Sequence, residues 1–102
     1  MKFRYSLLES AQIEYEEALN WYLQRSILAA EDFIADFEQT IELIRANPYR
    51  WRNEYGPYHE LVLKKFPYSI VYIIKSENRL VIVTAVYHAK RNPKKKYRSQ
   101  DA

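Results

Sequence analysis

The chain has 102 residues, 48% of them apolar and 16% aromatic, with no cysteine. That length makes a single domain with a thin core, and the missing thiols exclude disulfides and zinc–thiolate centres. The net charge of +3 conceals a division: residues 1–47 carry four Lys/Arg against nine Asp/Glu, and residues 48–102 carry twelve against four.

A basic half of this size suits an anionic partner, whether nucleic acid, an enzyme bound to nucleic acid, or an acidic protein. Two solvated faces that offset each other are the plainer alternative. One glycine and four prolines argue against disorder. No apolar run approaches the roughly 18 residues of a membrane span. The N-terminus lacks a secretory signal pattern, and a thiol-free composition suits a reducing compartment, so a cytoplasmic location is expected.

In chain order, residues 2–8 alternate loosely and predict a short strand. Ser10 is the expected cap of a first helix, in which Ala11, Tyr15, Ala18, Leu19 and Tyr22 recur at helical spacing. Ser26 is the expected cap of a second helix, with Ala30, Phe33, Ile34, Phe37, Ile41 and Ile44 as its apolar stripe. Asn47-Pro48 ends it, because proline disfavours helical geometry in the residue before it. The short connection predicts an antiparallel helical hairpin.

Residues 49–57 are expected to form a loop closed by the Gly56-Pro57 turn. Tyr49-Arg50-Trp51-Arg52 in that loop has the composition of a contact patch, and Trp51 folding back over the helices is the favoured reading. Three strands rich in Val, Ile, Leu and Tyr follow, at 58–65, 68–75 and 79–87, with a polar turn at 75–79. Val81, Ile82 and Val83 do not alternate, so the last strand is expected to be central and covered on both faces. The order β-α-α-β-β-β predicts a small α+β domain spanning 1–102, a helical hairpin on one face of a twisted, mainly antiparallel sheet. Residues 90–102 form a basic tail, with six cations in the nine residues 90–98.

Two stretches carry more information than the rest. Phe66-Pro67-Tyr68-x-Ile70-x-Tyr72 enters one strand, and Ala85-Val86-x-His88-x-x-Arg91-x-Pro93 leaves another. Their combination, in this order, resembles the C-terminal half of the RelE/ParE superfamily, the small toxins of bacterial type II toxin–antitoxin pairs. Ala18, Trp21-Tyr22, Ala30, Phe33, Ile34 and Asn47-Pro48 extend the resemblance through the N-terminal half. The resemblance implies the same β-α-α-β-β-β fold and one of two activities. RelE-like members cut mRNA on the ribosome; ParE-like members bind DNA gyrase and trap it on DNA. Fold alone does not choose between them.

Cleavage by 2′-OH attack needs a base, a cation for the developing phosphate charge and an acid for the leaving oxygen. The resemblance places the RelE-like cations on two positions of the strand before Phe66-Pro67-Tyr68, on the residue after Tyr68, and beyond the last strand, with a late tyrosine. Those positions hold Glu60, Val62, Ser69, Arg91 and Tyr97, so only the last two keep the residue type. Lys64 and Lys65 are the nearby substitutes. An alternative nuclease constellation is His88, Arg91 and Tyr97, joined by His59 if the sheet brings the two histidines together. Lys64, Lys65, Lys90, Arg91, Lys94, Lys95, Lys96 and Arg98 are the candidate surface for a target, nucleic acid or an acidic antitoxin segment.

The expectation is a ParE-like toxin that acts by binding, with gyrase as target and a cognate antitoxin as partner in a hetero-oligomer. A ribosome-dependent mRNA endonuclease and a decayed member that keeps only antitoxin binding are the alternatives. No cofactor is implied: one glycine makes no phosphate-binding loop, and two distant histidines have no metal-ligand spacing.

Overall fold

The computed structural model describes residues 2–90. Its elements are β1 (Arg4–Leu7), α1 (Glu9–Leu23), α2 (Ile27–Ala46), β2 (Arg52–Tyr55), β3 (Tyr58–Val62), β4 (Tyr68–Lys75), a 3-10 turn (Ser76–Asn78) and β5 (Leu80–His88). The five strands form one sheet in the order β1-β5-β4-β3-β2. β1 runs parallel to β5 and the other neighbours are antiparallel. The helical hairpin covers one face, as the sequence predicts.

The layers meet at an aromatic cluster. Phe33 is fully buried, stacked on Tyr22 at 5.3 Å and edge-on to Phe66 and Tyr68 at 5.4 and 5.5 Å. Tyr15 contacts Phe37 at 4.4 Å. Such pairs contribute about 0.5–1.5 kcal/mol each beyond the area they bury. Val81, Val83, Val86, Ile70 and Tyr72 face this cluster from the sheet.

Ser26 caps α2 as expected, its hydroxyl accepting from the Ala29 N–H at 3.1 Å. Ser10 does not cap α1. The helix starts at Glu9, with Leu8 extended before it and no side-chain cap. The Leu8 N–H is still committed to the sheet, donating to Val83 O, so the strand-to-helix switch falls there and leaves Ser10 inside the first turn.

Residues 49–57 are not all loop. β2 pairs irregularly with β3 as an edge strand, and Gly56, at φ +54°, closes the hairpin. Asn53 secures it by donating from Nδ2 to Gly56 O and Tyr58 O. Trp51 does fold back, donating from Nε1 to Leu43 O at 3.4 Å and packing on the core.

β3 ends at Val62, short of the expected 65: the Leu63 N–H still donates to Tyr68 O on β4, but the three amides after it bond elsewhere. The buried carboxylate of Asp36 in α2 accepts from the backbone N–H groups of Lys64, Lys65 and Phe66 at 3.2, 2.7 and 3.2 Å.

β5 lies inside the sheet and is buried over most of its length, as expected. Its broken alternation has a cause. Val71 pairs with Ala85 and Tyr72 with Val83, so Thr84 is an extra residue, a β-bulge. Val81 and Val83 face the helices before it; Val86 faces them after it, while Ala85 and Tyr87 turn to the outer face.

Candidate functional site: the outer sheet face and the basic end

The outer face of the sheet, away from the helices, gathers Tyr58, Val71, Ile73, Ala85 and Tyr87. Strand alternation places Glu60 and Val62 beside Tyr58, and Ser69 beside Val71. Register draws them close: Val62 pairs with Ser69, Ser69 with Tyr87, and Glu60 with Val71. The three positions at which the superfamily resemblance implies cations therefore form one patch, and none of them is basic.

Glu60 is only 6% exposed. The Tyr87 hydroxyl donates to its Oε2 at 2.6 Å, and the Arg52 guanidinium lies 3.8 Å from the same oxygen. Ser69 is fully buried and its hydroxyl has no hydrogen-bond partner. The three positions hold a buried, hydrogen-bonded carboxylate, a valine and a buried hydroxyl, none of which carries the positive charge that stabilises a phosphate transition state.

The sheet keeps the two histidines apart. His59 on β3 pairs with Tyr72 and His88 on β5 with Tyr68, on opposite sides of β4. Strand spacing and rise put them on the order of 15 Å apart. His59 stacks on Tyr72 at 5.4 Å, and its Nδ1 lies 3.0 Å from Trp51 O, which requires the proton on that nitrogen. His88 lies edge-on to Tyr68 at 5.1 Å and its Nδ1 accepts from the Lys90 N–H at 3.2 Å. Trp21, Tyr22, Tyr68 and His88 line a cavity of about 260 Å³. The bulge turns His88 to the helix-side face, away from Glu60 and Ser69.

The structure does bring three candidate cations to one end. The Ala89 N–H donates to Pro67 O at 2.8 Å, tying the exit of β5 to the connection that carries Lys64 and Lys65. Lys90 follows directly, and all three lysines are exposed. Asp36 fixes the backbone of that connection. Arg91, Lys94, Lys95, Lys96, Tyr97 and Arg98 lie outside the described residues.

The sequence reading missed Asp36 and the Tyr87–Glu60 bond. Asp36 had a signal: it and Thr40 interrupt the apolar face of α2 beside Phe33, Phe37 and Ile41, and both are buried. Tyr87–Glu60 had none, because it spans two strand pairings. Tyr72 is a third anchor, donating from its buried hydroxyl to Pro48 O at 2.7 Å, and burial pushes its phenol well above the ordinary value. Among the described residues, no group of three or more His, Asp or Glu is placed to hold a metal ion, and no helix is long and apolar enough to cross a membrane.

Three solved structures show the same fold. A chain of the chromosomal ParDE toxin–antitoxin system from P. aeruginosa superposes with a TM-score of 0.68 at 10% identity, covering 87% of this chain and 98% of that one. A chain of the RelBE2 toxin–antitoxin complex of Mycobacterium tuberculosis gives 0.60 at 16% identity, covering 86% and 99%. A free-state mutant of the E. coli toxin RelE gives 0.61 at 16% identity, covering 88% and 86%. No curated protein matches in sequence. These likenesses define the ParE/RelE class of fold. The family described as ParE toxin of type II toxin–antitoxin system, parDE, matches residues 5–93. The chain belongs to that family of toxins.

Proposed function

We propose that this toxin acts by binding a cellular target in the cytoplasm, that the target is DNA gyrase, and that a cognate antitoxin neutralises it. The observation that carries the reading is the outer-face patch. Where ribonucleolytic chemistry requires cations, Glu60 is buried against Tyr87 and Ser69 carries an unpartnered hydroxyl. A fixed carboxylate there opposes the approach of a phosphate rather than stabilising it. The P. aeruginosa and M. tuberculosis neighbours belong to toxin–antitoxin systems, which supports an antitoxin partner. Lys64, Lys65 and Lys90 supply an anchoring surface for an anionic partner.

Inducible expression of the isolated chain in a bacterium tests the proposal, with plasmid supercoiling and transcript integrity read from one culture. Growth arrest with gyrase-linked DNA breaks or altered supercoiling is the expected result. Arrest with phased mRNA cuts and unchanged supercoiling overturns it.

A second reading, an mRNA endonuclease built on His88, Arg91 and Tyr97, draws on one observation. The His88 Nδ1 accepts from the Lys90 N–H, and the ring stands at the end that carries Lys64, Lys65 and Lys90. An Arg91→Ala variant that stays fully toxic without cutting transcripts rejects that reading.

A further inference from the structure

The aromatic cluster leaves a recess unfilled. Protein interiors are close-packed, yet about 260 Å³ stays open where the end of α1 meets the start of β4 and the end of β5. Of its lining residues Tyr68 is buried, Tyr22 and His88 are half-buried, and Trp21 is 43% exposed, so the recess opens to solvent at Trp21. The rings brace one another. Trp21 lies edge-on to Tyr22 at 5.0 Å, Tyr22 packs on Phe33 and Phe66 at 5.3 and 4.9 Å, and Tyr68 meets His88 at 5.1 Å. The walls are therefore formed before any ligand arrives. The volume is just below the roughly 300 Å³ at which pockets for drug-sized ligands begin, which suits one small planar ring system.

The charge at its mouth is mainly positive. The Arg25 guanidinium stacks 3.6 Å from the Trp21 ring centre and donates to Trp21 O. Lys90 is exposed, and its N–H donates to His88 Nδ1 at 3.2 Å. The Ala89–Pro67 bond ties the connection that carries Lys64 and Lys65 to the same end. The nearby carboxylates are Glu14, Glu17 and Asp36. Glu14 accepts from the Val86 N–H at 2.9 Å, Asp36 accepts from three amides of the connection, and Glu17 lies on the outer side of α1. Aromatic walls suit a cation, an apolar group or a planar heteroaromatic ring. The guanidinium already over Trp21 opposes a second cation, and an apolar group makes no use of the positive mouth. A heteroaromatic ring that bears negative charge matches both the walls and the mouth.

We propose that this recess binds a nucleoside phosphate, with the base among Trp21, Tyr22, Tyr68 and His88 and the phosphate at the mouth beside Arg25 and Lys90. Stacking on aromatic rings tolerates any base, because every base has a π-face. The site lies on the helix side of the sheet, apart from the outer-face patch of Glu60 and Ser69, and it needs no cleavage chemistry. It does not depend on the target proposed above. A free nucleotide and the terminal nucleotide of a single strand present the same chemistry.

The test titrates the full chain with adenosine 5′-monophosphate, adenosine, tetramethylammonium and a 5′-phosphorylated trinucleotide, read by NMR. The monophosphate is expected to shift the Trp21 indole N–H and the amides of Tyr22, Tyr68 and His88, and to bind less tightly as salt rises. Adenosine is expected to shift the same residues with weaker affinity. Trp21→Ala should lower affinity for both by roughly tenfold through lost stacking. Arg25→Gln should weaken the monophosphate and leave adenosine unchanged, a difference that general loosening of the fold does not produce. Both side chains are exposed, and circular dichroism verifies that each variant is folded. A trinucleotide that binds more tightly than the monophosphate at these residues assigns the site to a strand end; equal or weaker binding assigns it to a free nucleotide, and either result upholds the site. Shifts absent from these four residues at millimolar nucleotide, equal affinity for adenosine and its monophosphate, or stronger binding of tetramethylammonium overturns the proposal.

Discussion

Tyr87 reaches over β4 to donate its phenolic hydrogen to Glu60, joining β5 to β3 across a strand that lies between them. The bond is 2.6 Å long and buried at both ends. It explains how a carboxylate sits on a face where the fold elsewhere places apolar side chains. A hydrogen bond to a buried charged group contributes about 1.5–3 kcal/mol. Tyr87→Phe is therefore expected to lower the unfolding free energy by about 2 kcal/mol in urea titration. Glu60→Gln, which keeps an acceptor for the Tyr87 hydroxyl, is expected to cost less.

Asp36 is the strut between the helical layer and the β3–β4 connection. Its carboxylate takes three consecutive backbone N–H groups. Asp36→Ala leaves those amides without their acceptor and is expected to cost about 3 kcal/mol or more. Hydrogen exchange gives the specific signature. The amides of Lys64, Lys65 and Phe66 should exchange faster in the variant even where global stability is matched with a stabilising osmolyte.

Ser69 gives the opposite sign. Its buried hydroxyl has lost water without gaining a partner. Ser69→Ala removes that desolvation cost at nearly constant shape, so the variant is expected to be as stable as wild type or more stable by up to about 1 kcal/mol. A urea midpoint that falls clearly would show that the hydroxyl has a favourable role.

Tyr72 makes stability depend on alkaline pH. Burial raises its pKa above the ordinary 10.0, so the native state holds this proton more tightly than the unfolded chain does. Its contribution is complete below pH 10 and is lost as pH rises from there through the folded pKa. Tyr72→Phe is expected to cost about 1 kcal/mol at neutral pH, from the lost bond to Pro48 O. It should also flatten the decline above pH 10 that is expected of wild type. Denaturation midpoints measured across that range test both effects.

Glu42 acts at the acid end. Hydrogen bonds from Lys2 and Arg45 hold its carboxyl below the ordinary 4.5, so its contribution is present above that pH and fades as pH falls through the folded value. The group is exposed, so the effect is small and weakened by salt. Glu42→Gln should remove a shallow acid-side slope that is visible at low ionic strength and absent at high salt.

Elements with a strong local cause were legible in the sequence. Ser26 and Pro48 bound α2 because capping and the restriction before proline act within a few residues. Trp51 returned to the helices because a large aromatic side chain had apolar surface within reach. The failures are non-local. β2 exists only because Gly56 returns the chain against β3, and Ser10 loses its capping place because the Leu8 amide is held by Val83 on the last strand. The faces of the candidate site were illegible for a similar reason. Thr84 shifts the alternation of β5, so no count along Leu80–His88 tells which face His88 occupies. Glu60, Val62 and Ser69 were named from the resemblance, but their convergence on one patch needed the β3–β4 register.

The parallel pairing of β1 with β5 places Arg4 beside Leu80. At synthesis rates of about 5–20 residues per second, roughly 4–15 s pass between those residues leaving the ribosome's catalytic centre. Until then the first strand has no sheet to join, and α1 has no β5 to lie on. The fold is therefore complete only after nearly all of the described chain has been made, so the closing strand pair is the last contact that synthesis allows.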